Sequence, residues 1–246
     1  MSEAGQEARV LEPWEEYERA VAEMERQQRL ERSGLSPRDL QCTLDTFDPN
    51  LTGAEALRVA RAFAEQYKPG DWVGLLFWGA PGVGKSHLCA GICLRLLERG
   101  IPVYKILTPE YVALSRSMFA DEDEDWENLW RASGRARVLW LDDLTVDHIS
   151  CSYDARRAAE ALYRLLDRAL HQSQALLITT NHPPEQLRDG LKALDGSTRI
   201  FDRLREMVWP VEVKGVSVRT HVRAQRAPEW LKAVVAESSG KDGKRV

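Results

Sequence analysis

A glycine-rich segment, residues 79–86, has the residue types and the spacing that bind phosphate groups. Its pattern is GxxxxGK[ST], in which glycines let backbone N–H groups close around phosphate oxygens and the following helix adds its positive N-terminal end. We expect Lys85 to contact the β- and γ-phosphates, Ser86 to ligate Mg²⁺, and His87 to join the nucleotide contacts. The expected nucleotide-binding residues are Gly79, Ala80, Pro81, Gly82, Val83, Gly84, Lys85, Ser86 and His87. The sequence therefore predicts a site for a nucleoside triphosphate, ATP with Mg²⁺.

Two aspartates end an apolar stretch further along the chain, VLWLDD at residues 138–143. A buried strand that ends in carboxylates fits a Walker B motif, in which Asp142 holds Mg²⁺ through water and Asp143 polarises the attacking water. Strand-end acids can also simply cap the next helix. The glycine-rich segment favours the catalytic interpretation, because the two motifs complement each other chemically.

A polar residue also ends the apolar stretch ALLITTN, residues 175–181. Asn181 is placed to orient a water molecule against the γ-phosphate. The alternative is a turn-forming asparagine before His182 and the two prolines that follow. We favour the role at the nucleotide.

Three arginines lie within seven residues at Arg199, Arg203 and Arg205. Such a cluster is ordinarily a solvated helix face. In an oligomeric ATPase, however, one arginine can stabilise charge on the γ-phosphate of a neighbouring subunit. The pattern alone leaves both interpretations open.

The elements that must position these residues alternate between strand and helix along the chain. Short apolar runs bounded by turn signals predict strands at 73–79, 101–107, 136–144, 175–181 and 207–213. Helical spacing of apolar residues predicts helices at 8–32, 54–66, 85–98, 109–119, 154–171, 184–194 and 197–206. This alternation indicates an α/β fold, with a parallel sheet and helices on both faces.

Composition narrows the class of protein further. The 246 residues carry a net charge of -4, whereas a protein that binds DNA mainly through phosphate contacts is usually basic. The four cysteines have no zinc-binding spacing, and Cys89 and Cys93 lie in an apolar helical run as small buried residues. Reduced thiols, the lack of a signal-peptide pattern and the lack of a membrane-spanning stretch predict a cytoplasmic protein without membrane contact.

The motifs together resemble the DnaC/DnaI/IstB group of AAA+ ATPases. The resemblance rests on GLLFWGAPGVGKSHLCAGI, VLWLDDL, LLITTNHPPEQL and RIFDRLRE, and it covers about residues 37–222. It implies a P-loop NTPase of AAA+ type, with a five-stranded parallel sheet in the order 5-1-4-3-2. It also implies that Arg203 is an arginine finger acting across a subunit interface of a homo-oligomer in the ATP state. Arg219 falls near the position of the sensor-2 arginine.

The resemblance further implies a domain organisation and partners. Residues 1–50 would be a helical extension and linker that binds a hexameric, DnaB-like replicative helicase, and residues 51–226 the ATPase domain. The polar composition of residues 227–246 independently predicts a disordered tail. In loaders the region between the second and third strands lines single-stranded DNA. Here that region has an acidic run at 121–127 that repels phosphates, along with arginines that attract them, Arg116, Arg131, Arg135 and Arg137. Both a DNA-binding surface and a solvated surface remain open for it.

Three functions fit these expectations. The first is an ATP-dependent loader of the replicative helicase, with Mg-dependent hydrolysis that is weak until the protein assembles. The second is an IstB-like transposition helper that acts on duplex DNA with a transposase. The third is a nucleotide-gated adaptor that binds ATP and barely hydrolyses it. The acidic composition favours the loader over a protein that coats duplex DNA.

Overall fold

A five-stranded parallel sheet carries the site in the computed structural model, which describes residues 13–115, 124–146, 150 and 155–218. Its strands are β1 (Gly74–Trp78), β2 (Val103–Leu107), β3 (Val138–Asp142), β4 (Ala175–Thr180) and β5 (Val208–Glu212). They lie in the order β2-β3-β4-β1-β5, with parallel pairing throughout. From the β5 edge this order is 5-1-4-3-2, so the expected strand order is confirmed.

The helices in the described part of the chain cover both faces of the sheet. They are α1 (Pro13–Glu31), α2 (Ala54–Gln66), α3 (Lys85–Glu98), α4 (Thr108–Leu114), α5 (Glu124–Arg135), α6 (Ala155–His171), α7 (Pro184–Asp195) and α8 (Arg199–Met207). Along β1, Leu75 and Phe77 pack in one core with α2 and α3, whereas Leu76 packs in the opposite core with α4, α6, α7 and α8. Because side chains alternate across a strand, one apolar run supplies both cores. The expected α/β architecture is confirmed.

The order of the strands brings the candidate site residues to one edge of the sheet. Strand β4 lies between β1 and β3, so the carboxyl ends of these three strands are adjacent. Strands β3 and β4 are buried along their whole length, which explains why they are almost continuously apolar. In open parallel sheets, ligands bind outside the carboxyl ends of the strands. The loop after β1, the acids that end β3 and the residues after β4 all lie there.

The region between β2 and β3 is where the observed elements differ from the predicted ones. The helix predicted at 109–119 ends at Leu114 within the described residues. Helix α5, which begins at Glu124 in the acidic stretch, was not predicted from the sequence. Trp126 of α5 is buried, with its ring 5.3 Å from that of Tyr111 and stacked on Trp130 at 5.9 Å. The acidic side chains masked this apolar spacing in the sequence.

The chain before α2 forms an exposed helix and a linker. The predicted helix 8–32 corresponds to α1 from residue 13 onward, and α1 exposes Trp14, Tyr17 and Met24. The linker, residues 36–47, then packs against α3, where the backbone of Leu44 lies against Gly91. Among the described helices none is long and apolar enough to cross a bilayer. The predicted tail, residues 227–246, lies outside the described residues.

Candidate functional site

The glycine-rich loop turns from β1 into α3 through backbone conformations that need glycine. Gly84, the residue before α3, has φ 94°, and a Cβ there would lie 2.7 Å from the Phe47 ring. A side chain at this position would therefore be strained by its backbone and would collide with the linker. The loop is also held from outside, because the Val218 N–H donates to the Gly82 carbonyl at 3.0 Å. The sequence folds here into a cradle of backbone groups at a helix N-terminus.

The N-terminus of α3 offers donors to an anion. The Leu88 N–H donates to the Gly84 carbonyl at 3.0 Å, so helix geometry provides no intrahelical acceptor for the N–H groups of Lys85, Ser86 and His87. Gly84 has no side chain that could cap them. A phosphate group fits this position because it combines those N–H donors with the positive end of the helix dipole.

The side chain of His87 points away from this position. Its Nε2 atom is 2.8 Å from the Thr43 carbonyl and 3.2 Å from Thr46 Oγ1, and its ring meets that of Phe47 edge-on. All three partners belong to the linker. The predicted nucleotide contact of His87 can therefore come only from its backbone N–H, while the imidazole binds the linker to α3.

The ammonium group of Lys85 lies inside the loop. Lys85 Nζ donates to the Gly79 carbonyl at 2.7 Å, the Ala80 carbonyl at 2.8 Å and Asn181 Oδ1 at 2.8 Å. The side chain is buried, and these oxygens hold its positive charge at the point where phosphates would enter. The contact with Asn181 joins the loop after β1 to the end of β4.

Asp142 is the best-connected carboxylate of the site. Its Oδ1 atom accepts hydrogen bonds from Ser86 Oγ at 2.9 Å and from Thr179 Oγ1 at 2.7 Å. Its Oδ2 atom is 3.3 Å from the ammonium of Lys105. A hydroxyl and a carboxylate this close are oxygen ligands of the kind Mg²⁺ prefers, directly or through water. Ser86 and Asp142 thus fit a Mg²⁺ ion beside the phosphate cradle.

Asp143 and Asn181 lie together at the same edge. Asp143 has a φ of 57°, and its N–H donates to Thr179 Oγ1 at 2.8 Å. Its Oδ1 atom accepts a hydrogen bond of 3.4 Å from Asn181 Nδ2. The structure therefore brings the two residues proposed to act on water next to each other, with Asn181 also bonded to Lys85.

The arginines proposed to act at the nucleotide are not part of this cluster. Arg203 Nη2 is 3.2 Å from Asp167 Oδ1 and Arg203 Nη1 is 3.4 Å from Glu206 Oε2, on the surface formed by α6 and α8. Arg199 binds Glu160 at 3.1 Å and lies over the ring of Tyr163. Arg219 lies outside the described residues, one residue beyond the Val218 backbone that contacts the loop.

Three residues of the site were not identified from the sequence. Thr179 lies in the predicted strand at 175–181 and was assigned no role there, yet its hydroxyl links Asp142 to the backbone of Asp143. Lys105 lies in the middle of a predicted strand, and Asp39 in the predicted linker. The charge of Lys105 within an apolar strand is a sequence signal, but it does not reveal which distant groups Lys105 contacts. Asp39 gives no such signal, because a charged residue is ordinary in a linker.

The fold and site define a class of protein, and comparison with known proteins agrees. Residues 75–202, just over half of the chain, match the ATPase family associated with various cellular activities (AAA), and the chain belongs to this family. Membership supports nucleotide binding and ATPase activity.

Several proteins of known sequence or structure are similar to this chain. It is 26% identical to the replicative helicase loader DnaC of Escherichia coli (strain K12) over 189 residues, covering 76% of this chain and 73% of the relative. The crystal structure of DnaI superimposes with a TM-score of 0.62 at 23% identity, covering 74% of this chain and 96% of that one. The structure of AMPPCP-bound DnaA from Aquifex aeolicus superimposes with a TM-score of 0.56 at 19% identity, covering 78% of this chain and 55% of that one. The two structural likenesses show a shared fold, and the sequence likeness shows homology to a DnaC helicase loader.

Proposed function

We propose that this protein is an ATP-dependent loader of a hexameric replicative DNA helicase, which binds and hydrolyses Mg²⁺-ATP at the interfaces of a homo-oligomer. The observation that carries the nucleotide part is the cluster of Lys85, Ser86, Asp142, Asp143 and Asn181 at one edge of the sheet. The likeness to a DnaC loader over three quarters of the chain supports the helicase as its target.

Each residue of the cluster has a role that follows from its position. The N–H groups at the start of α3 bind phosphate oxygens, and Lys85 exchanges its carbonyl contacts for the β- and γ-phosphates. Ser86 and Asp142 hold Mg²⁺, which when bound neutralises charge on the phosphates and on the leaving group. Asp143 draws a proton of the attacking water toward its carboxylate, and Asn181 orients that water. Hydrolysis needs all these groups within one cluster.

Assembly supplies what a single subunit lacks. We propose that Arg203 acts on the nucleotide of a neighbouring subunit, and that Arg219 acts near the phosphates of its own. Arg203 is only partly exposed and is bonded to carboxylates of its own chain. Its release from them at an interface would make hydrolysis depend on assembly, so the isolated subunit is expected to be a weak ATPase.

The N-terminal region is proposed to bind the helicase. Helix α1 is rich in charge, yet it exposes Trp14 and Tyr17, whose rings stack at 5.9 Å. Exposed aromatic pairs on one helix are typical of protein-binding surfaces. Single-stranded DNA is proposed as a further ligand, through the arginines at the C-terminal end of α5 and beyond, Arg131, Arg135 and Arg137.

A pull-down of the cognate replicative helicase tests the loader function. We expect the wild-type protein to capture the helicase, and replacement of Trp14 and Tyr17 by alanine to abolish capture. Arg19→Ala, an exposed change on the same helix, is the matched control and should retain it. Capture that is absent with and without ATP, together with stimulation of a transposase on duplex DNA, would replace the loader by the transposition helper.

A further inference from the structure

The buried ammonium group of Lys105 lies between the site and the linker. Lys105 Nζ is 3.3 Å from Asp142 Oδ2, and it donates to Asp39 Oδ1 at 3.0 Å and to Asp39 Oδ2 at 2.9 Å. The exposed fractions of the three side chains are 8% for Lys105, 10% for Asp39 and 11% for Asp142. Buried charges of this kind interact strongly because little water screens them. Two carboxylates thus share one cation.

Asp39 also fixes the beginning of the linker. Its Oδ2 atom accepts hydrogen bonds from the Ser36 N–H at 2.8 Å and from Ser36 Oγ at 2.6 Å, which close a turn. Burial alone raises the pKa of Asp39, but the hydrogen bonds from Ser36 and Lys105 outweigh it and hold the pKa below its ordinary value. Asp39 is therefore charged at neutral pH, and its charge depends on Lys105 for compensation.

The same strand residue holds the chain that follows α1. The backbone N–H of Lys105 donates to the Ser33 carbonyl at 2.8 Å, so β2 binds the segment between α1 and the linker. Lys105 therefore contacts the N-terminal region through its backbone and through its side chain. If the ammonium of Lys105 shifts between Asp142 and Asp39, the shift acts directly on the segment that follows α1.

A Mg²⁺ ion beside Asp142 would change how the ammonium is shared. Both the ion and Lys105 are positive, so they repel each other and compete for the carboxylate of Asp142. The ammonium then interacts more strongly with Asp39, which strengthens the attachment of the linker. By linkage, attachment of the linker draws Lys105 away from Asp142 and favours the ion by the same factor.

We infer that Lys105 is a positioning residue that couples Mg²⁺ binding at Asp142 to docking of the linker through Asp39. The inference rests on the proposed nucleotide site and deepens it, since it identifies how the state of the nucleotide reaches the N-terminal region. His87 provides a parallel connection, because it follows Ser86 directly and binds the linker at Thr43.

Replacement of Asp39 by asparagine tests the coupling. The amide keeps the shape of the side chain but no longer attracts the ammonium, so Lys105 stays with Asp142 and opposes Mg²⁺. In this assay Mg²⁺ is titrated and binding of fluorescent MANT-ADP is measured. We expect the half-saturating Mg²⁺ concentration to be about fivefold higher in the variant, which is the lower end of usual coupling strengths. Binding of MANT-ADP in EDTA should not change, and Asp39→Glu, which keeps the charge, should restore part of the Mg²⁺ response.

Asp45→Asn is the matched control. Asp45 lies in the same linker, but its side chain is 92% exposed and pairs with Arg61 at 3.2 Å. We expect this variant to keep the wild-type Mg²⁺ dependence. If the Asp39 and Asp45 variants respond to Mg²⁺ alike, the coupling is overturned while the nucleotide site stands. If the wild type binds no MANT-ADP, the proposed function fails, and the inference fails with it.

A second measurement follows the linker itself, through the thiol of Cys42. Cys42 is partly buried against the core that contains α3, so a thiol reagent reaches it faster when the linker leaves. Cys89 and Cys93 are fully buried, and burial raises the pKa of both thiols, so we expect neither to react with the reagent. Cys151 lies outside the described residues and is replaced by serine in every sample.

Mg²⁺ added to ADP should slow the labelling of Cys42 severalfold, relative to ADP with EDTA. The slowing should vanish in the Asp39→Asn variant and persist in the Asp45→Asn variant. If Lys105 had only a structural role, the Asp39→Asn change could alter the labelling rate of Cys42, but Mg²⁺ would not affect that rate in the wild type or in the variant. Equal labelling rates of the wild type with and without Mg²⁺ would overturn the inference.

Discussion

At the scale of single residues, the site uses few side chains, and these side chains are hydrogen-bonded to one another. Thr179 donates to Asp142 and accepts from the backbone of Asp143, so one hydroxyl fixes both acids. Asn181 bonds Lys85 and Asp143. Since these groups hold one another, their geometry is largely set before a nucleotide binds, which reduces the reorganisation that catalysis requires.

Replacement of Lys85 by alanine should remove most of the affinity for nucleotide. The ammonium is the main point charge available to the β- and γ-phosphates, and hydrogen bonds to charged groups contribute about 1.5–3 kcal/mol, or roughly tenfold or more in affinity. Titration with MANT-ATP measures the loss. Lys68→Ala, at an exposed turn, is the control and should bind normally. Unchanged binding by the Lys85 variant would refute the assignment of the loop.

Replacement of Asp143 by asparagine should keep nucleotide binding and slow turnover about 100-fold or more, as expected when a general base is lost. Asparagine is the informative choice because Asp143 has a φ of 57°, a conformation that asparagine tolerates better than alanine does. The variant thus removes the charge without adding backbone strain. ATPase assays at saturating ATP provide the measurement, and undiminished turnover would mean that Asp143 is structural.

At the scale of elements, the loop and the linker form one packed unit with α3. Gly84 precedes α3 and lies against the ring of Phe47, while His87 binds the linker backbone. Phe47 belongs to the core shared by α2 and α3. A change in the loop is therefore transmitted to the linker by direct contact, without passing through the sheet.

Gly84→Ala should destabilise the protein and weaken nucleotide binding. Its Cβ would strain a backbone with φ 94° and meet Phe47 at 2.7 Å. Gly100→Ala is the matched control, because Gly100 also has a positive φ, 77°, but no atom within 4 Å of the added Cβ. Strain alone costs about 1–3 kcal/mol, so urea unfolding should show a larger loss for the Gly84 variant than for the control. Equal losses would show that the Phe47 contact is unimportant.

The sequence predicted the elements well where one physical signal dominated. Strands β1, β3 and β4 are almost continuously apolar because both of their faces are buried, and this pattern can be recognised without knowing which strands are neighbours. Helix α5 was missed because its charged residues outnumber the aromatic residues that bury it. The role of Lys105 depends on the packing of Asp39, Lys105 and Asp142, which are far apart in the chain. No local sequence pattern predicts that these three residues are in contact.

At the scale of the whole molecule, the described chain places its proposed arginine finger outside its own site. Arg203 lies on α8 and bonds Asp167 and Glu206, whereas the nucleotide cluster lies at the ends of β1, β3 and β4. An arginine that acts within its own subunit would be expected among the groups around Lys85 and Asn181. Its location instead favours action on a neighbour, which agrees with an ATPase that needs assembly.

Arg203→Ala should abolish the hydrolysis that assembly stimulates and leave MANT-ATP binding by the monomer intact. Arg205→Ala, an exposed change on the same helix, should retain stimulation and is the control. Mixing the Arg203 and Lys85 alanine variants provides the decisive measurement. The first variant keeps an intact nucleotide cluster, and the second keeps an intact Arg203, so an interface between them contains one complete site. Part of the ATPase activity should therefore return in the mixture, in proportion to the number of mixed interfaces. If no ratio of the two variants restores activity, Arg203 does not act in trans, and its ion pairs with Asp167 and Glu206 are its whole role.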